Sequence, residues 1–282
     1  MRKFLNRVLR KSGYQIVRIS KFLELLESRF KRGEDFSFVQ IGANDGVEFD
    51  DLYQFVIQRS SRGLVVEPLP DFYERLRFNY KQFPEIKPVR IAVHPTFDTC
   101  IIYRVDPERA HELKGWAAGI ASLDKNHHQK LHITSTYIVE ETVPAKPLMG
   151  LLDDNGMEKI DLLQIDTEGF DAQVVSMIDF SRIVPTIIKF EHRHLSKRDR
   201  SLTEEILSRQ GYQIFHEKNN TVGFIDLADG IRFGSSQFSD HASPEIDAPR
   251  NPHQRPRHSR PSPIAATSAA WRSWRATRPA SR

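Results

Sequence analysis

A doubly wound α/β domain is the fold class that this 282-residue chain predicts, and two features predict it. Five short apolar runs recur between residues 36 and 192: "FSFVQIG", "GLVVEP", "VRIAV", "DLLQID" and "TIIKFEH". They are apolar almost throughout, as strands of a parallel sheet covered on both faces must be. Polar segments with helical periodicity, "DDLYQFVIQRS" and "PDFYERLRFNYKQF", separate the first three runs, and strand–helix alternation is the signature of a doubly wound sheet.

The elements follow in order. Residues 1–35 read as a basic helical N-terminal extension. Phe4, Leu5, Val8 and Leu9 fall near one face of a first helix, and a second, "SKFLELLESRFKR", starts with Ser20 as its N-cap. Residues 36–234 form the α/β domain. Within it, 94–148 breaks the alternation: "TCIIYRV" reads as a strand and "WAAGIASLDKNHHQKL" as a loop entering a helix. Inserted segments at strand ends usually carry specificity, so this one is expected on the substrate side. After the helix "SLTEEILSRQ", "GYQIFHEKNNTVGFID" predicts two strands joined by a turn at Asn219–Asn220, an antiparallel closing hairpin. Residues 235–282 are rich in Pro, Ser and Arg and predict a disordered tail.

Charge separates the same regions. Residues 1–35 hold 10 Lys/Arg against 4 Asp/Glu, and 235–282 hold 8 against 3, which leaves 23 against 30 between them. The central domain is therefore acidic, and nucleic acid is not an expected partner. No apolar run reaches the roughly 18 residues of a membrane span. The N-terminus lacks the apolar core of a signal peptide, and the single cysteine, Cys100, cannot form an internal disulfide. A cytoplasmic protein is expected, with the basic N-terminus a candidate for peripheral contact with a membrane surface or for docking a partner, or else a helix packed on the domain.

The loop after the first strand, Gly42-Ala43-Asn44-Asp45-Gly46, lies where open α/β sheets bind ligands. A dinucleotide would want G-x-G-x-x-G, but the middle glycine is absent and Asp45 sets a negative charge where a pyrophosphate would lie. No Gly-Lys-Ser/Thr follows, which excludes a P-loop. A cofactor without phosphate and with cationic groups suits this loop, and S-adenosylmethionine has both properties. The second strand ends in Glu67-Pro68, where a carboxylate can accept hydrogen bonds from both hydroxyls of an adenosine ribose.

"VQIGANDG", "GLVVEPLP", "IDLLQIDTEGFD" and "IIKFEH", in this order, resemble the FkbM family of S-adenosylmethionine-dependent methyltransferases over roughly residues 36–226. "IDTEGFD" matches the family's I-D-x-E-G pattern. The resemblance implies the class I methyltransferase fold, Rossmann-like, with strand order 3-2-1-4-5 before an antiparallel closing pair. It also implies O-methylation of a sugar, glycan or secondary-metabolite hydroxyl. One departure is Gln40, where many relatives carry an acid that helps hold the methionine end; Asp45 is the expected substitute. Two rival readings remain: an NAD- or nucleotide-sugar-dependent enzyme with a degenerate loop, and a non-catalytic binding protein on the same fold.

Methyl transfer to a hydroxyl needs alignment and a proton acceptor. Asp166 ends the fourth strand, Glu168 follows it, and Glu191-His192 ends the fifth. Asp166, Glu168 and His192 are the candidate catalytic residues, with His192 the favoured base because its ordinary pKa is near neutrality. Gly42, Ala43, Asn44, Asp45, Gly46, Glu67, Pro68, Ser122 and Asp166 are the candidate cofactor contacts. Asp166, Glu168, Glu191 and His192 are types that ligate divalent metals, but cations or substrate hydroxyls are the expected occupants and no metal is assigned. Glu168 also suits a helix cap, His127-His128 an exposed helical pair, and His194 the surface. Trp116 suits either stacking on a sugar face or simple packing.

Overall fold

The computed structural model describes residues 20–225 apart from positions 49 and 97. The expected first helix and the Pro/Ser/Arg-rich tail lie outside these residues. The central strand is β1 (Asp35–Ile41). Parallel to it run β2 (Ser60–Val66), β3 (Ile86–Val89), β8 (Leu162–Ile165) and β9 (Ile187–Glu191). β10 (Gln213–Glu217) and β11 (Asn220–Phe224) close the sheet, with β11 antiparallel to both its neighbours. The seven strands lie in the order β10-β11-β9-β8-β1-β2-β3. This is the mostly parallel, doubly wound class I methyltransferase arrangement, with the expected 3-2-1-4-5 core and closing pair.

Side chains alternate across β1. Phe36 and Phe38 enter one layer with Phe22, Leu25 and Leu26 of α1 (Lys21–Arg29), Phe55 and Val56 of α2 (Tyr53–Ile57), and Leu76 and Tyr80 of α3 (Pro70–Tyr80). Val39 and Ile41 enter the other, which packs on helices numbered α5 to α7 after the short α4 (His127–Lys130). These are α5 (Leu148–Asp154), α6 (Asp171–Ser176) and α7 (Lys197–Arg209). Coverage on both faces is why β1 and β8 are buried nearly end to end. Ser20 caps α1 as expected, through its side chain to Leu23 N. α1 packs on the sheet: its buried stripe completes the first layer, and the Glu217 carboxylate accepts from Lys21 N and Phe22 N.

The inserted segment, joined by the end of "VRIAV", builds a second sheet. β4 (Ala92–Val93), β5 (Thr99–Val105), β6 (Ala121–Ser122) and β7 (Ile138–Lys146) lie in the order β4-β7-β5-β6. The run "VRIAV" is thus divided between two sheets, β3 in the first and β4 in the second. Arg104 of β5 is buried and joins this sheet to α3 through a two-pronged ion pair with Asp71, and it also meets Glu141. His127 and His128 are buried, not exposed, because α4 is tucked against the main domain. The closing turn falls at Lys218–Asn219, one residue before the expected place. Glu217 pairs with Asn220, and Lys218 supplies the positive φ of 52° that a two-residue hairpin needs. Among the described residues no helix is long and apolar enough to cross a membrane.

Candidate active site

The chain leaves β1 through a turn that brings three strand ends together. Gly42 N and Ala43 N both donate to Val66 O at 2.9 Å, and Asp166 N donates to Ile41 O. Gly42 has φ 77°, and a Cβ there would lie 1.8 Å from the Asp166 carbonyl oxygen, so no larger residue fits. Asn44 N donates to Glu67 Oε2 (2.9 Å), and Leu69 N donates to Glu67 Oε1 (3.0 Å). Glu67 is buried, and burial outweighs these bonds to push its pKa up to about 7.

Above the strand ends lies a cavity of about 370 Å³. Of the predicted cofactor contacts, Gly42, Ala43, Asn44, Glu67, Pro68, Ser122 and Asp166 line it; of the predicted catalytic residues, Asp166 and Glu168 do. Three predicted residues are not in its wall. Asp45 turns inward, and its Oδ1 accepts from Val47 N and Glu48 N, so it shapes the turn and does not replace the acid missing at Gln40. Gly46 faces α3, where a Cβ would meet Leu76 and Tyr80 at 2.6 Å. His192 points to the far side of β9: its Nδ1 lies 2.9 Å from Thr221 Oγ1 and its ring 5.7 Å from that of His216. His192 therefore does not converge with Asp166, since β11 pairs along β9 and draws the ring toward itself.

The acids that line the cavity beside the loop are Glu48 and Asp50. Gln40 Nε2 donates to Asp50 Oδ2 (3.0 Å), while Gln40 Oε1 is buried without a protein partner. Lys189 Nζ reaches Gln164 Oε1 at 3.4 Å beneath them, and burial lowers its pKa. Burial raises the pKa of Asp50 despite its bonds to Leu52 N and Gln40. Glu48 and Asp50 carried no motif. Asp50 stands in a polar stretch that reads as the start of a helix.

Asp166 sits at the mouth of β8 with its pKa raised well above the carboxylate range, first by burial and then by Asp171, Glu191 and Glu168. Asp171, the last residue of "IDTEGFD", holds the next turn. Its Oδ2 accepts from Thr167 Oγ1 and its Oδ1 from Glu191 N, which ties the β8 and β9 ends together. Burial raises Asp171 to about 6. In this turn Glu168 adopts φ 51°, unfavourable for a residue with a Cβ, and the strain marks a constrained site. Its Oε2 lies 3.0 Å from His127 Nε2 and 3.4 Å from His194 Nε2. Its carbonyl accepts from Ser122 Oγ at 2.8 Å, fastening the insertion over the cavity. From the same insertion Trp116, 43% exposed, reaches the cavity wall.

The chain matches the methyltransferase FkbM domain over residues 40–214, well over half of its length. Among solved structures it is similar to a methyltransferase FkbM from Methylobacillus flagellatus KT, with 15% identity and a TM-score of 0.42, over 70% of this chain and 45% of that one. It is also similar to the N-terminal domain of human METTL16 in complex with SAH, with 13% identity and a TM-score of 0.40, over 80% and 81% of the two chains. A methyltransferase from Geobacter sulfurreducens shows 15% identity and a TM-score of 0.39, over 79% and 87%. A comparison with curated proteins finds no match.

Proposed function

Because the chain belongs to the FkbM methyltransferase family, we propose that it transfers a methyl group from S-adenosylmethionine to a hydroxyl oxygen of a sugar, glycan or secondary metabolite. The observation that carries the cofactor is charge. Among the described residues five acids line the cavity, Glu48, Asp50, Glu67, Asp166 and Glu168, against one base, Arg75. Such a wall ionises around a sulfonium and an ammonium, and it offers a pyrophosphate little positive charge to pair with. The unpartnered Gln40 Oε1 fits the same cofactor, since a buried acceptor is costly until a donor such as an ammonium reaches it.

When bound, S-adenosylmethionine supplies an electrophilic methyl group on sulfur. Glu67 offers its remaining lone pairs to the ribose hydroxyls. Gln40 and Asp50 offer acceptors to the amino-acid end. Trp116 presents an aromatic face on which the apolar face of a sugar ring can pack. Asp166 would take up the proton that the acceptor hydroxyl loses as its oxygen bonds to the methyl carbon and that carbon's bond to sulfur breaks. Its raised pKa favours holding that proton, and a cationic ligand nearby favours the ionised form that accepts it.

Equilibrium binding of radiolabelled S-adenosylmethionine tests the cofactor. S-adenosylhomocysteine should displace the label and NAD should not; displacement by NAD at comparable concentration would overturn the reading. Label transferred to a glycan fraction in an alkali-stable form would mark an ether. Alkali-labile label would point to a carboxyl acceptor instead.

A further inference from the structure

We propose that His127, Glu168 and His194 form a binding site for a single divalent transition ion of the zinc class. His127 comes from α4 of the insertion, Glu168 from the turn after β8, and His194 from the segment after β9, so three separate parts of the chain meet here. One ligand atom from each of the three lies within 4.8 Å of the other two. His127 is 98% buried, with 2% of its side chain exposed, and the two histidine rings meet edge to face at 4.5 Å.

The spacing is that of a coordination shell. Bonds of about 2.0–2.1 Å from zinc to nitrogen or carboxylate oxygen set the edges of a tetrahedron at about 3.3–3.4 Å. The observed edges are 3.0 Å from His127 Nε2 to Glu168 Oε2 and 3.4 Å from His194 Nε2 to the same oxygen. Next to the three, Glu191 Oε2 lies 3.6 Å from His194 Nε2 and is buried without a hydrogen-bond partner, so it borders the cluster without belonging to it. Two imidazoles and one carboxylate, with a fourth position left open, suit Zn²⁺, Co²⁺ or Fe²⁺ more than the all-oxygen preference of Mg²⁺ or Ca²⁺. Hydrogen bonding alone leaves Glu191 Oε2 unsatisfied and directs both imidazoles at one oxygen. An ion within the cluster gives both imidazoles and the Glu168 oxygen a partner.

Such an ion would clip the insertion to the ends of β8 and β9, beside the point where Ser122 already fastens it. Glu168 also lines the cavity, so the ion would stand in its wall. That this wall faces the acceptor rests on the proposed function; the binding of the ion does not.

The full chain, stripped with a chelator and dialysed, is titrated with Co²⁺ and followed by its visible d–d absorption. One equivalent should bind with the intense band of a tetrahedral site, Zn²⁺ should abolish the band, and the ion should raise the melting temperature. His194→Gln and His127→Ala should each weaken Co²⁺ binding by more than the roughly 10–100-fold that loss of an outer-shell partner costs. Circular dichroism checks that each variant is folded; if His127→Ala is not, His194→Gln carries the test. No stoichiometric band in the parent protein, or a band retained in folded His194→Gln, would overturn the site. Binding of S-adenosylhomocysteine, measured on the same stripped protein, reports on the methyltransferase reading separately.

Discussion

Glu67 accepts one backbone hydrogen bond on each oxygen and still lines the cavity with lone pairs to spare. Glu67→Gln keeps the size but turns one acceptor into a donor that faces a backbone N–H. It should weaken S-adenosylmethionine binding by roughly 1.5–3 kcal/mol, the range for hydrogen bonds to charged groups; calorimetry showing unchanged affinity would remove Glu67 from the site. Asp45 and His192 are predicted to behave differently from what their motifs imply. Asp45 spends its carboxylate on Val47 N and Glu48 N, so Asp45→Ala should lower stability more than it lowers cofactor affinity. His192 is occupied with Thr221 on the far side of β9. His192→Ala should therefore cost far less than the roughly 10²–10⁴ in turnover that loss of a general base costs. A loss in that range in single-turnover assays would return the ring to the chemistry.

At the scale of elements, α1 contributes more than its place in a basic extension suggests. Phe22 is 2% exposed and packs in the layer under β1 with Leu25, Leu26 and Phe36. Phe22→Ala should destabilise the protein by about 3–5 kcal/mol, the range for a buried aromatic, as read from urea midpoints. A shift under about 1 kcal/mol would mean that α1 is dispensable, since scattered surface substitutions stay near that level. The strands of the main sheet were legible because double-sided burial writes itself as unbroken apolar runs, as in "FVQI" and "DLLQI". β7 was not, because it is half-exposed, carries Glu140 and Glu141, and includes Pro144, which discourages a strand reading. The site was legible where backbone geometry forces a residue type, as at Gly42. It was illegible where distant segments converge, since nothing local in "NHHQK" announces that His127 will meet Glu168 and His194.

The whole molecule concentrates acids at one end of its sheet, and this sets how stability varies with pH. Burial raises Glu67 to about 7 and Glu191 to about 8, and it raises Asp166 as well. An acid with a raised folded-state pKa contributes stability that is fully present below its unfolded value, near 4.5 for these glutamates, and is lost as pH rises through the folded value. His192 and His194, lowered from 6.5 by burial, act in the opposite sense, but their contribution is complete above 6.5. Lys189, also lowered by burial, opposes the trend on the alkaline side. From about pH 6.5, where the histidine contribution is complete, to about 8, the folded value of Glu191, the protein free of metal and cofactor should therefore become less stable as pH rises. The slope should be at most about 1.4 kcal/mol per pH unit for each titrating group. Urea midpoints across that range provide the measurement. Glu67→Gln should flatten the decline below about pH 7, and Glu191→Gln should flatten it across the whole range. A cationic ligand seated among these acids lowers their pKa values, so saturating S-adenosylmethionine should reduce the slope and bind more tightly as pH rises. Stability that rises with pH across this range would mean that the acids are already ionised in the ligand-free fold, and that its cavity does not hold the protons that burial assigns to it.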